Sequence, residues 1–127
     1  MKASDLMIMD WVLLDGTPIQ VAGLHNRKVG VHKRRRSIYC SWHSDGEFRP
    51  IPLTEDILVK NGFDKKYFDY DFSYDLYEDD NVSFVRLYDH GEGVFFTETS
   101  GGDIVITYVH QLQHLLRLCG IEKEIEL

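Results

Sequence analysis

Between residues 68 and 76 the chain alternates strictly, with Phe68, Tyr70, Phe72, Tyr74 and Leu76 on one side and Asp69, Asp71, Ser73 and Asp75 on the other. A period of two is the mark of a strand with one dry face. After the Glu78-Asp79-Asp80-Asn81 turn, the pattern predicts strands over Val82 to Tyr88, Gly93 to Thr99 and Asp103 to Thr107. Asp89-His90-Gly91-Glu92 and Ser100-Gly101-Gly102 separate them as turns. These four antiparallel strands lead into Thr107 to Ile121, where the period becomes helical. Leu118, Leu115, Tyr108, Cys119, Leu112, Leu116 and Val109 share one half of the helical wheel, and Gln113, Arg117, His110 and His114 share the other. Gly120 suits the left-handed turn that ends a helix, and Ile121 beyond it can fold back on Leu116 in a Schellman-type cap. The helix is therefore expected to lie across the aromatic face of the sheet.

The first half reads differently. Ile8 to Leu14 and Pro18 to Ala22 flank Asp15-Gly16, a preferred two-residue hairpin turn. Val29 to His32, Ser37 to Trp42 and Phe48 to Ile51 are three more short strands, the first two joined by Lys33-Arg34-Arg35-Arg36. Five short strands in so few residues point to a small SH3-like half-barrel, since closure hides edges that a small sheet would otherwise expose. A short helix follows within Pro52 to Phe63, capped by Thr54, acidic in its first turn and ended by Gly62. The expected fold is α+β: an SH3-like β-barrel subdomain over 1–53, then a 54–127 subdomain of helix, four-stranded antiparallel sheet and C-terminal amphipathic helix. The two would share one compact unit.

Composition narrows the class. The 127 residues are 43% hydrophobic and 13% aromatic, enough for a core, with no run of the roughly 18 to 20 apolar residues that spans a bilayer. Met1-Lys2-Ala3-Ser4-Asp5 opens no signal-peptide pattern, so a cytoplasmic protein without membrane contact is expected. Cys40 and Cys119 read as reduced core residues and not as a disulfide framework. The net charge of -7 is uneven: residues 1 to 53 hold eight Lys and Arg against five Asp and Glu, and residues 54 to 127 hold six against sixteen. An acidic second half opposes non-specific binding of nucleic acid, while the basic first half leaves a local contact open.

Two segments carry a family likeness. Pro50-Ile51-Pro52-Leu53-Thr54-Glu55-Asp56-Ile57-Leu58 with Asn61-Gly62-Phe63, and Tyr108-Val109-His110-Gln111-Leu112-Gln113, resemble the paired signatures of a family of small uncharacterised proteins of gut Bacteroidetes, their phages and mobile elements. With the short strands before it, the resemblance covers most of the chain. It implies a genomic setting and one shared architecture, with no assigned activity and no catalytic residue to carry over. The position of His114 is often Asn in that family, which speaks against a metal role there.

Candidate chemistry is sparse. His110 and His114 have the one-turn spacing with which two imidazoles grip a zinc ion, but Gln111 stands where a metalloprotease needs a glutamate base, and no third ligand is evident. Arg27, Lys28, Lys33, Arg34, Arg35 and Arg36 place six of the fourteen Lys and Arg within ten residues, beside Tyr39 and Trp42. Cations beside aromatics suit single strands and phosphates, although a hairpin tip is polar in any case and Lys and Arg also protect sheet edges. Trp11 and Trp42 are assigned to the barrel core. Asp69, Asp71 and Asp75, with Glu78, Asp79 and Asp80, read as a solvated face that could repel nucleic acid or meet a basic partner. Ser100-Gly101-Gly102 lacks the strand-turn-helix setting of a nucleophile elbow, and no phosphate loop or dinucleotide fingerprint occurs. These patterns favour a non-enzymatic module that binds a protein partner, with no cofactor and no catalytic residue. Nucleic-acid binding through the 27–36 hairpin is the alternative, and a metal-dependent or hydrolytic enzyme around His110 and His114 is the third.

Overall fold

The computed structural model describes residues 1–32, 40–68, 71–78, 83–91 and 93–127. They form a mixed α+β structure of antiparallel sheets and two α-helices, divided into two compact units, Met1–Ile51 and Pro52–Leu127.

In the first unit the hairpin of β1 (Trp11–Leu14) and β2 (Thr17–Gln20) turns at Asp15 and Gly16, with φ of 51° and 76°. Both values are positive, as the Asp-Gly dipeptide predicts for a tight hairpin. A further hairpin pairs β3 (Gly23–His25) with β4 (Lys28–His32), β4 pairs in turn with β5 (Cys40–Ser44), and β6 (Phe48–Pro50) returns to β1. The result is two three-stranded sheets, ordered β2-β1-β6 and β3-β4-β5. Among the described residues neither sheet closes into a barrel. Gly23–His25 adds a sixth strand, too short and too poor in β-branched residues to be read from pattern. Val12, Val21, Val29, Val31 and Phe48, with Ala3 and Leu6, form the core. The chain crosses between the sheets at residues 21 and 22, where Val21 N–H donates to the Asp10 carbonyl and Ala22 N–H to the Gly30 carbonyl.

The second unit opens with α1 (Glu55–Lys60), whose first turn is capped by the Thr54 hydroxyl accepting from Ile57 N–H at 3.3 Å. Five strands follow: β7 (Asp64–Phe68), β8 (Asp71–Glu78), β9 (Ser83–Gly91), β10 (Val94–Thr99) and β11 (Gly102–Ile106). Each pairs antiparallel with the next, in the order β11-β10-β9-β8-β7. The expected strand over residues 68 to 76 is therefore two strands, with Tyr67 opposite Phe72 and Lys65 opposite Tyr74, and the sheet has five strands where four were expected. Lys65 and Lys66 hide β7 from a hydropathy reading. Lys65 belongs on the aromatic face all the same, because its ammonium lies 4.3 Å from the centre of the Phe72 ring and bonds Glu55 at 3.0 Å.

Tyr74, Leu76, Val85, Leu87, Phe95 and Ile106 share one face of this sheet by register and are all buried. The helix α2 (Val109–Leu118) contributes Val109, Leu112, Leu115 and Leu116 to the same core, with Val85 of β9 and Leu115 of α2 lining one groove. The Schellman cap forms as the sequence implies: Gly120 has a φ of 74°, Ile121 N–H donates to Leu116 O at 2.8 Å and Gly120 N–H to Arg117 O at 3.0 Å. The helix is rotated from its expected setting, however. His110 and Gln113 are buried, whereas Leu118 is 82% exposed and Cys119 is exposed too. The regular helix ends at Leu118, so these two residues belong to its last turn and cap. Beyond the cap the tail returns to α1: buried Asn61 accepts from Glu126 N–H and donates to Glu126 O, each at 2.7 Å, with Ile121 and Ile125 buried alongside.

Candidate functional site

The face of the β3-β4-β5 sheet opposite the core carries the clearest surface feature of the first unit. Strand pairing sets Gly23 opposite Gly30 and Gly30 opposite Trp42, in one row. The Trp42 indole lies across the two glycines: a Cβ at position 23 would stand 2.9 Å from Trp42 Cη2, and one at position 30 would stand 3.1 Å from it. Only residues without a Cβ leave room for the ring to rest on backbone. Its other side faces water, for Trp42 is 48% exposed. This corrects the assignment of Trp42 to a core; Trp11 on β1 is half-buried. Exposed His25 and Lys28 form the next row with Ser44, and exposed His32 pairs with half-buried Cys40 on the far side.

Of the basic and aromatic residues singled out by sequence, Arg27 and Lys28 are exposed and Trp42 joins Lys28 on this face. Lys33, Arg34, Arg35, Arg36 and Tyr39 lie outside the described residues. Arg27 lines an open pocket of about 330 Å³ with Lys2, Asn26 and Asp45, whose carboxylate already accepts from Ala3 N–H at 3.0 Å.

The reverse face of β5 holds an array that spacing alone did not reveal. Ser41 Oγ and His43 Nε2 are 3.1 Å apart, and His43 Nδ1 points to Glu47 Oε1 at 3.9 Å. The order resembles a Ser-His-Glu relay. The carboxylate is beyond hydrogen-bond reach, and its other oxygen accepts from Ser44 N–H at 2.8 Å as a turn cap. Residues 41 and 43 alternate on a strand, which is the only sequence signal for the pair.

In the second unit Asp75 is fully buried, which corrects its placement on a solvated face. Arg86 opposes it across the β8–β9 register and grips it with two bonds, Nε to Oδ1 at 2.9 Å and Nη2 to Oδ2 at 3.0 Å, while Ser73 Oγ donates to Oδ1 at 3.0 Å. The carboxylate beside it raises the Arg86 pKa further, and the Tyr88 hydroxyl adds to the shift. This is a satisfied structural ion pair. Asp69, Asp79 and Asp80 lie outside the described residues. Asp89 Oδ1 accepts from Gly91 N–H at 2.6 Å, so it holds its own turn.

The histidines of α2 pack against each other and an aromatic neighbour. The His110 ring stacks on Tyr108 at 5.9 Å between centres, and His114 meets it edge-on at 5.7 Å. Among the described residues no three His, Cys, Asp or Glu side chains gather as a metal site. Gln111, noted for not being a base, has a different task, since its side-chain oxygen accepts from Thr107 N–H at 2.8 Å and Tyr108 N–H at 3.1 Å. It caps the helix start.

One strand edge stands out. β11 ends the strand order, and Gly102, Asp103, Ile104 and Val105 are all exposed, Ile104 by 40% and Val105 by 55%. Glu98 and Asp103, both exposed, sit directly opposite each other in the β10–β11 register. No helix among the described residues is long and apolar enough to cross a membrane. Comparison of the chain with protein-family models, curated proteins and solved structures gives no match.

Proposed function

We propose that the chain is a non-enzymatic interaction module, a phage or mobile-element accessory protein of the cytoplasm, that docks a basic protein partner as an added strand along β11. The observation that carries this is the edge strand Gly102–Ile106, exposed over its first four residues, which has two aliphatic side chains open to water and neither Lys nor Pro to block pairing. Soluble proteins ordinarily guard such edges with charge, proline or cover. An extended peptide laid beside β11 gains main-chain hydrogen bonds, and alternate side chains meet Ile104 on one face and Val105 on the other. Like charges directly opposite on paired strands destabilise them, so a cation set against Asp103 and Glu98 offsets a repulsion already present. The acidic balance of residues 54 to 127 favours the same class of partner.

Two other observations support the setting. Cys40 and Cys119 are free thiols, the second exposed, as suits a reducing compartment. His110 is buried against Tyr108, and Glu47 lies 3.9 Å from His43, arrangements that favour a binding role.

Selection from a displayed random-dodecapeptide library is the test. Enriched peptides should alternate β-branched residues with Lys or Arg, and Asp103→Lys or Val105→Lys should weaken them about tenfold or more, a small part of what strand addition supplies. Peptides that bind both variants as well as the natural chain would sink the proposal.

A further inference from the structure

We infer that the Trp42 face of the first unit is a stacking site for unpaired bases of a single-stranded nucleic acid, separate from the edge of β11. The ring is built as a platform, not left exposed by chance. Gly23 and Gly30, consecutive in one cross-strand row, remove the two side chains that would lift it from the sheet, since a Cβ at either would press on the ring at 2.9 or 3.1 Å. Fixing the ring in advance lowers the entropy lost when a planar group settles on its outer side. Every base has a π-face, so such a platform binds without regard to sequence.

The charge around the ring selects the ligand class. His25 and Lys28 lie in the row on one side and His32 lies on the other, all exposed, and Arg27 precedes Lys28 in the same hairpin. A neutral sugar or a proline-rich peptide would use the ring but not Lys28 or Arg27. A phosphate backbone carrying unpaired bases uses both. A duplex keeps its bases stacked inside and offers only phosphates. The sheet is three strands wide, about 10 Å, which holds one or two bases. The acidic second half opposes a polyanion, so the affinity belongs in the micromolar range at low salt.

The test uses fluorescein-labelled oligothymidylate of twelve nucleotides, an abasic dodecamer of equal charge, a duplex and heparin, read by anisotropy with the full chain. The oligothymidylate should bind at least about fivefold more tightly than the abasic strand, the share that stacking supplies. Trp42→Ala should erase that preference, Trp42→Phe should keep most of it, and Lys28→Glu should weaken both strands and flatten the salt dependence. The comparison of ligands holds even if a Trp42 variant folds poorly. Equal binding of the abasic strand, the duplex or heparin would overturn the inference, as would failure of the oligothymidylate to bind at low salt.

Discussion

Asp75 has no access to water and Arg86 keeps 31% of its side-chain surface exposed, so the two ends of their ion pair are unequal. Removing Arg86 strands a carboxylate in the sheet with Ser73 alone, whereas removing the charge of Asp75 leaves a guanidinium that can turn outward. Arg86→Met should therefore cost about 3 to 5 kcal/mol in chemical denaturation, and Asp75→Asn clearly less. Equal losses would show that the carboxylate is better solvated than its burial implies. Sequence pattern placed Asp75 in water because a polar residue alternating with aromatics looks the same on a solvated face and on a face sealed by an ion pair. Arg86 would have resolved it, but only once the β8–β9 register was known. Trp42 failed for the opposite reason. An aromatic between strand-like residues reads as core, and its glycine floor comes from two other strands, at Gly23 and Gly30.

At the scale of elements, the caps were legible because each is local: Asp15-Gly16, Thr54 and Gly120 act within a few residues of themselves. The facing of α2 was legible only in outline. Leu112 and Leu116 point inward as the wheel requires, but ten regular residues make too short a helix for its polar flank and its last turn to be assigned without the sheet beneath. Leu112→Ala should cost about 2 to 5 kcal/mol. Buried Gln113→Ala should cost of order 1 kcal/mol, and Leu118→Ala should stay within about 0.5 kcal/mol. A large loss at Leu118 would mean that the helix end packs on something. The bridge between Lys65 and Glu55 gives a pH test. Its hydrogen bond to Lys65 lowers the Glu55 pKa below 4.5, so that contribution is present above 4.5 and fades as acid protonates the folded carboxylate. The same bond raises Lys65 above 10.5, a contribution present below that value and lost as pH climbs through the raised one. The stability difference between the natural chain and Glu55→Gln should thus be flat from about pH 5 to about pH 10 and shrink outside. Glu55 is exposed and Lys65 half-buried, so solvent screens the bridge, the difference will be small, and a peak inside that window would contradict it.

Across the whole molecule, charge and topology divide the labour. The balance of +3 in residues 1 to 53 and -10 in residues 54 to 127 could be counted before any fold was known. Which surfaces express it could not, because an edge exists only when the strand order is set. Asp103-Ile104-Val105 looked like any other strand of a four-stranded sheet, and its place at the end of five, with two exposed aliphatic residues, is what the proposed docking rests on. Amide hydrogen exchange of the chain, alone and with a library-selected basic peptide, tests that line most directly. Strand addition predicts that amides within Gly102–Ile106 slow by about tenfold or more while those of β7 at the far edge stay unchanged. Unchanged exchange along β11 with the peptide bound would place the partner elsewhere and contradict the account.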